Sequence, residues 1–147
     1  MPDSISPHLC VRDAAGALEF YKKAFNAREI SRHAAPDGKR IMHAAVEMNG
    51  GVVMLSDDFP EYRGGKASTA EALGGSPIVL HLQVEDADAA FKRAVDAGAK
   101  IAMPLADQFW GDRYGQIMDP FGITWSIGAK VKQLSEEEIQ EAAKAHF

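Results

Sequence analysis

Two of the five histidines occupy matching places in a repeated segment of the chain. The run from His8 to Ala14 (HLCVRDA) lines up with the run from His81 to Ala87 (HLQVEDA) at an offset of 73 residues. Six of the eleven positions in 8–18 are identical in the second copy, which indicates a duplicated half-domain. Neutral imidazole can bind a metal ion or move a proton near neutral pH. The repeat therefore predicts one such group in each half.

A dense cluster of aromatic and charged residues follows in the second half, beside glycines. It consists of Trp110, Asp112, Arg113 and Tyr114. A stacking ring next to a planar guanidinium is typical of ligand-binding loops. The structural alternative is an ion pair between Arg113 and Asp112, with Trp110 covering a cleft or a subunit contact. The sequence leaves both interpretations open.

Three single residues complete the set of candidates. His43 is expected to be either a structural histidine or an acid or base in a cleft. Cys10 alternates with the aliphatic residues of the first strand, and a buried, unreactive thiol is the expectation for it. Ser126 has no visible His–Asp relay, which argues against a nucleophilic serine.

Hydrophobic periodicity predicts the elements that position these residues. The aliphatic residues at positions 78, 80, 82 and 84 alternate with Val79, His81 and Gln83, the period of two that a pleated strand requires. His81 and its counterpart His8 therefore point away from the aliphatic layer. Asp13 and Asp86 are the expected N-caps of the helices that follow, whose apolar residues recur at helical spacing.

Turn residues divide the rest of each half into short strands, near 28–34, 39–48, 51–56, 99–103, 113–118 and 123–128. The segment Asp119-Pro120-Phe121-Gly122 suits a type I turn between the last two strands, and its Asp and Pro are expected to serve only that turn. The pair Asp57-Asp58 is expected to begin a solvated loop.

These elements predict a single α+β domain in which two βαβββ modules form a curved mixed sheet around a cleft. The first module covers about 5–57, and the second covers about 78–129. A glycine-containing linker joins them at about 58–77. A capping box of Ser135 with Glu138 begins a C-terminal helix at about 135–146.

Composition excludes several classes of function. The 147 residues carry a formal net charge of −5 without a basic run, which argues against a nucleic-acid partner. The single cysteine excludes an intrachain disulfide. No apolar run approaches the roughly 20 residues that span a bilayer, and the first residues do not have the pattern of a signal peptide. We therefore expect a cytoplasmic protein whose partners include neither nucleic acid nor membrane.

A doubled βαβββ unit with a histidine in the first strand of each copy resembles the vicinal oxygen chelate superfamily. That superfamily includes glyoxalases, bleomycin-resistance proteins and extradiol dioxygenases. The resemblance covers about residues 5–129 and is closest to the PhnB-like branch. It rests on the stretches PHL at 7–9, FYKKAF at 20–25, IMHA at 41–44, MLSD at 54–57, FWGDRYG at 109–115, DPFG at 119–122 and WS at 125–126.

The resemblance implies positions for a divalent ion, because metal-dependent members bind it with the first and last strands of each half. His8 and His81 hold the first-strand positions. Ser126 holds the last-strand position of the second half, and either Met54 or Leu55 holds that of the first. Two histidines without carboxylates do not make a divalent site, so the resemblance implies that the metal site is lost.

We therefore expect a small-molecule-binding protein of the glyoxalase/bleomycin-resistance type that is homodimeric and needs no metal or other cofactor. No complete catalytic constellation is visible. One alternative is a metal-dependent lyase, isomerase or dioxygenase that uses His8 and His81. Another is a metal-free enzyme with a histidine base such as His43. The expected ligand-binding residues are His8, His43, His81, Trp110, Asp112, Arg113, Tyr114 and Ser126.

Overall fold

The computed structural model describes residues 4–147, and it consists of two βαβββ modules in sequence. The first module comprises β1 (His8–Val11), α1 (Ala14–Phe25), β2 (Arg28–Ala34), β3 (Ile41–Met48) and β4 (Gly51–Asp57). The second comprises β5 (Val79–Gln83), α3 (Ala87–Asp96), β6 (Lys100–Asp107), β7 (Asp112–Met118) and β8 (Thr124–Lys130). The helix α2 (Ala70–Leu73) lies between the modules, and α4 (Glu136–His146) follows them.

Each module builds its own four-stranded mixed sheet. The strand orders are β1-β4-β3-β2 and β5-β8-β7-β6, so the two modules share one topology. In both sheets the first strand pairs parallel with the last, and the other neighbours pair antiparallel. The predicted α+β class with two βαβββ modules is confirmed. Within the described residues, no helix is long and apolar enough to cross a membrane.

The helices form where the sequence predicts them because each has a side-chain cap and one apolar face. Asp13 accepts a hydrogen bond from the amide of Gly16, and Asp86 accepts one from the amide of Ala89. These bonds satisfy backbone donors that the first turn leaves free. The apolar faces of both helices pack in one core with the buried faces of the two sheets. Fully burying one of their larger side chains stabilises the fold by about 1.5–3 kcal/mol.

One buried carboxylate joins the two modules. Asp119 accepts hydrogen bonds from the amides of Phe121 and Ile123, which is the predicted turn chemistry. Its Oδ2 also accepts the hydroxyl of Tyr21 at 2.7 Å and the indole N–H of Trp125 at 2.9 Å. Since Tyr21 lies on α1 and Trp125 lies on β8, the carboxylate does more than stabilise the turn.

The structure departs from the sequence prediction at two strand ends. Strand β6 continues to Asp107, past Pro104. It is the edge strand of its sheet, and its pairing with β7 shifts register between Met103 and Ala106. A proline at that place therefore removes little of the hydrogen bonding between the two strands.

The expectation that Asp57 begins a solvated loop is wrong. Asp57 is buried and accepts the amides of Ala14 and Ile41, because the starts of α1 and β3 need an acceptor.

The segment between the sheets and the C-terminal tail both contain ordered elements. A short 3₁₀ helix spans Pro60–Tyr62, and Thr69 caps α2. Ser135 and Glu138 form the predicted capping box of α4, with both reciprocal hydrogen bonds present. No residue of α4 is fully buried.

Candidate functional site

Each sheet packs one face on the core, and we call the opposite one its outer face. On β1 and β4 the buried residues Val11 and Leu55 alternate with the partly exposed Cys10, Met54 and Ser56. The predicted orientation of the first-strand histidines follows from this alternation. Polar side chains, together with the thioether of Met54, collect on the outer face of each sheet. They form a first cluster (His8, His33, His43, Met54 and Ser56) and a second cluster (His81, Gln83, Tyr114, Gln116 and Ser126).

The first cluster is a row of imidazole rings across the first sheet. The rings of His8 and His43 meet edge to face at 5.8 Å between centroids, and the rings of His43 and His33 are 6.2 Å apart. Nε2 of His43 is 3.2 Å from the sulfur of Met54, and Nε2 of His8 is 3.3 Å from the hydroxyl of Ser56. The structure thus places His43 beside His8, on the outer face.

Three effects lower the pKa of His8. Partial burial is the largest, and the nearby His43 and Arg63 add to it because a second positive charge is unfavourable there. The ring is therefore neutral at neutral pH. A neutral imidazole offers a ligand one hydrogen-bond donor and one acceptor.

The second cluster is a hydrogen-bonded chain around His81. Nδ1 of His81 is 2.7 Å from the hydroxyl of Ser126, and Nε2 is 2.7 Å from Oε1 of Gln83. With the Gln83 oxygen as acceptor, the proton lies on Nε2, and Ser126 donates to Nδ1. The ring also stacks on Tyr114 at 5.9 Å. Gly128 permits this position, because a Cβ there would lie 3.0 Å from the imidazole.

This chain supplies a serine–histidine contact that the sequence did not reveal. Ser126 is only 2% exposed, so a substrate has little access to its hydroxyl. The third member, Gln83, is a neutral amide, and it cannot balance the imidazolium that a general base would form. The arrangement orients the ring of His81 and does not activate a nucleophile.

The predicted cluster in the second half divides between the two faces of β7. Trp110 contacts Tyr114 edge to face at 5.4 Å, so these rings extend the second cluster. Asp112 is on the same strand face as Tyr114, where it pairs in register with Lys130. Arg113 points to the other face and forms ion pairs with Asp88 of α3 and with Asp107. The structure therefore does not bring Arg113 to the second cluster.

The two first-strand histidines line different cavities. The cavity next to β1 has a volume of about 590 Å³ and is lined by His8, Cys10, Ser56 and Arg63, among others. The cavity that His81 lines has a volume of about 330 Å³. Pro7 and Leu80 line both cavities and so lie between them. A third cavity of about 640 Å³ borders α4 and contains no residue of either cluster.

Comparison with known proteins identifies the family. Residues 3–127 match the model of the glyoxalase/bleomycin resistance protein/dioxygenase superfamily. The chain belongs to this superfamily. It is 52% identical to an uncharacterized protein of Mycobacterium tuberculosis over 139 residues, which are 95% of this chain and 81% of the relative.

Two solved structures share the fold. The crystal structure of TioX from Micromonospora sp. ML1 superposes with a TM-score of 0.65 at 28% identity, and the match covers 90% of this chain and 100% of that one. The structure of an Arabidopsis thaliana gene product superposes with a TM-score of 0.68 at 29% identity, and the match covers 86% of this chain and 98% of that one.

Strand pairing shows which residue lies beside each first-strand histidine, at the positions where the resemblance implies ligands for a divalent ion. His8 pairs with Met54, and His81 pairs with Ser126, so the first-half position is Met54, whereas Leu55 belongs to the core. The four side chains offer no carboxylate. Both ring nitrogens of His81 already have hydrogen-bond partners within the chain. Among the described residues, no three His, Cys, Asp or Glu side chains are grouped as metal ligands. This donor set does not fit a divalent cation.

Several residues in or beside these clusters were absent from the predicted ligand-binding residues: His33, Ser56, Gln83, Gln116 and Arg63. Gln83 could have been found, because it lies two residues after His81 and therefore on the same strand face. Arg63 could not, since it lies in the segment between the modules, where no periodicity indicates which way a side chain points.

Proposed function

We propose that this superfamily member binds a small organic molecule on the outer faces of its sheets without holding a metal ion at the four inherited positions. We further propose that it belongs to the PhnB-like branch and acts as a cytoplasmic homodimer. The side chains that the ligand would touch are those of the two clusters, with Trp110 and Asp112 beside the second.

One observation carries this proposal: the donor set His8, Met54, His81 and Ser126. A hard divalent cation prefers oxygen ligands with negative charge, and a catalytic zinc normally has three protein ligands. Here a thioether and a buried hydroxyl stand in the other two positions. His8 remains available for hydrogen bonds to an organic ligand, and both cavities have volumes that are typical of small-molecule sites.

Metal content tests the first part. Protein stripped with a chelator is offered Zn²⁺, Mn²⁺, Fe²⁺, Co²⁺ and Ni²⁺ in turn, and bound metal is measured by mass spectrometry after desalting. We expect far less than one ion per chain. The variants His8→Gln and His81→Gln should not change that. His146→Gln serves as the matched control for loss of one exposed imidazole, because His146 belongs to neither cluster.

The opposite result would identify the metal-dependent alternative. Near-stoichiometric uptake that disappears in both the His8 and His81 variants, but not in the His146 control, would refute the proposal of a metal-free site. It would place the protein among the lyases, isomerases or dioxygenases that use a divalent ion.

Light scattering on a size-exclusion column tests the proposed homodimer. We expect a mass of two chains at micromolar concentration. A monomer across the accessible concentration range would contradict this part of the proposal, and the metal measurement would stand unaffected.

A further inference from the structure

The cavity beside β1 is lined by two chemically different sets of residues. The apolar set includes Leu9, Leu73, Ile78, Leu80 and Ile123. The polar set includes His8, Cys10, Ser56, Arg63 and Ser68. Its volume of about 590 Å³ lies within the range of sites for small organic ligands.

Arg63 is the single formally charged residue among those that line this cavity. Its guanidinium donates one hydrogen bond, to the hydroxyl of Ser68 at 2.9 Å. A guanidinium has five N–H donors in a planar fork, so most of its donors are still available. Within residues 4–147, no carboxylate forms an ion pair with it, whereas the nearby Arg40 is paired with both Asp37 and Glu61.

A competing negative charge comes from the carboxylate of Asp58, which acts on Cys10 but does not line the cavity. Its Oδ2 accepts the amide of Ser68, and its Oδ1 is buried. Burial, followed by Asp58, raises the pKa of Cys10, and Arg63 acts on it in the opposite direction. Burial, followed by His43 and Arg63, lowers the pKa of His8. The positive charge of Arg63 therefore acts on two other residues that line the cavity.

We propose that this cavity binds a small amphipathic organic anion, whose acidic group is held by Arg63 and whose apolar body lies against Leu80 and Ile123. This inference rests on the proposed function and narrows it to a class of ligand. A carboxylate, sulfonate or phosphate would accept two parallel hydrogen bonds from the guanidinium. The neutral ring of His8 and the hydroxyl of Ser56 would contact the same group without adding charge.

A matched pair of fluorescent probes tests the class of ligand. Anilinonaphthalene sulfonate carries an acidic group, and phenylnaphthylamine is the same aromatic amine without it. We expect the full-length protein to bind the sulfonate more tightly. The variant Arg63→Gln should weaken sulfonate binding by about tenfold to a hundredfold and leave binding of the neutral probe within about twofold.

Two further variants and one chemical readout make the test specific. Arg63→Lys keeps the charge but loses the fork, so it should restore only part of the affinity. Arg93→Gln removes one positive charge from α3, away from the cavity, and should change neither probe's affinity. Because Cys10 is the only cysteine and lines the cavity, a probe bound there should slow its reaction with a thiol reagent.

The outcomes separate this inference from the function on which it rests. If both probes protect Cys10 and Arg63→Gln changes neither affinity, the anion inference is wrong while small-molecule binding stands. If neither probe protects Cys10, the cavity binds no ligand of this class, so the anion inference is wrong and the proposed function depends on the second cluster alone. Protection of Cys10 with a selective loss of sulfonate affinity in Arg63→Gln supports both.

Discussion

Replacing Tyr21 with phenylalanine should isolate the contribution of a single buried hydrogen bond between the modules. The ring of Tyr21 is fully buried, stacked on Phe25 at 5.9 Å and tilted against Trp125 at 5.3 Å. Phenylalanine keeps these contacts and removes only the hydroxyl that donates to Asp119 at 2.7 Å. A hydrogen bond to a charged group contributes about 1.5–3 kcal/mol, so we expect a loss of about 2 kcal/mol. For a domain of this length, that corresponds to a fall in Tm of about 6 °C.

Urea unfolding at neutral pH, followed by two independent spectroscopic signals, measures this loss. Tyr62→Phe is the matched control, because Tyr62 is 82% exposed. Removing its hydroxyl should change the free energy of unfolding by less than about 0.5 kcal/mol. Asp119→Asn should cost more than Tyr21→Phe, since an amide places two N–H donors where the carboxylate accepts from Tyr21 and Trp125. If Tyr21→Phe is no less stable than Tyr62→Phe, the carboxylate does not hold the modules together as argued.

Three further predictions follow from pKa shifts and from close packing. Folding lowers the pKa of His8, so the contribution of its neutral ring to stability is lost as the pH falls below about 6.5. An NMR titration of the histidines should show the lowered pKa. The variant His8→Gln should flatten the pH dependence of the unfolding free energy in that range. Burial and, to a smaller extent, the carboxylate of Asp58 raise the pKa of Cys10 to about 11. Alkylation of Cys10 at about pH 8 should therefore be roughly a hundredfold slower in the folded protein than in the urea-unfolded chain. The variant Asp58→Asn should accelerate alkylation of the folded protein. Gly115→Ala should lower the free energy of unfolding by about 1–3 kcal/mol, because the added Cβ would lie 2.9 Å from the backbone of β6. Gly51→Ala is the control and should leave stability nearly unchanged, because its Cβ would lie 3.7 Å from the nearest atom.

The fold was predictable because the signals that specify it are local and occur twice. Asp13 and Asp86 cap helices by bonds to amides three residues away, so the sequence contains both partners of each bond close together. Strand alternation likewise needs only neighbouring positions, and it correctly placed His8 and His81 away from the aliphatic layer. The prediction lost accuracy at β6, where an edge strand tolerates Pro104.

The candidate site was predictable only in part, because its contacts depend on strand register and on distant partners. The sequence left Arg113 open between a ligand-binding role and an ion pair with Asp112, whereas its carboxylate partners are Asp107 and Asp88, the latter 25 positions away on α3. The buried partners of Asp57 and the link from Asp119 to Tyr21 are equally remote in sequence. No local pattern contains such pairings, whereas the structure gives them directly.

The internal repeat gives the two halves one backbone and two different chemistries. At the same register position, the first half pairs His8 with Met54, and the second pairs His81 with Ser126. The first pairing leaves His8 free to contact Ser56 and the cavity that contains Arg63. The second fixes His81 between Ser126 and Gln83. Duplication therefore preserved the positions of the imidazoles while their neighbours diverged. In the part of the chain that the structure describes, only Nε2 of His8 has a side-chain partner, whereas both ring nitrogens of His81 have one, so replacing His8 should weaken ligand binding more than replacing His81.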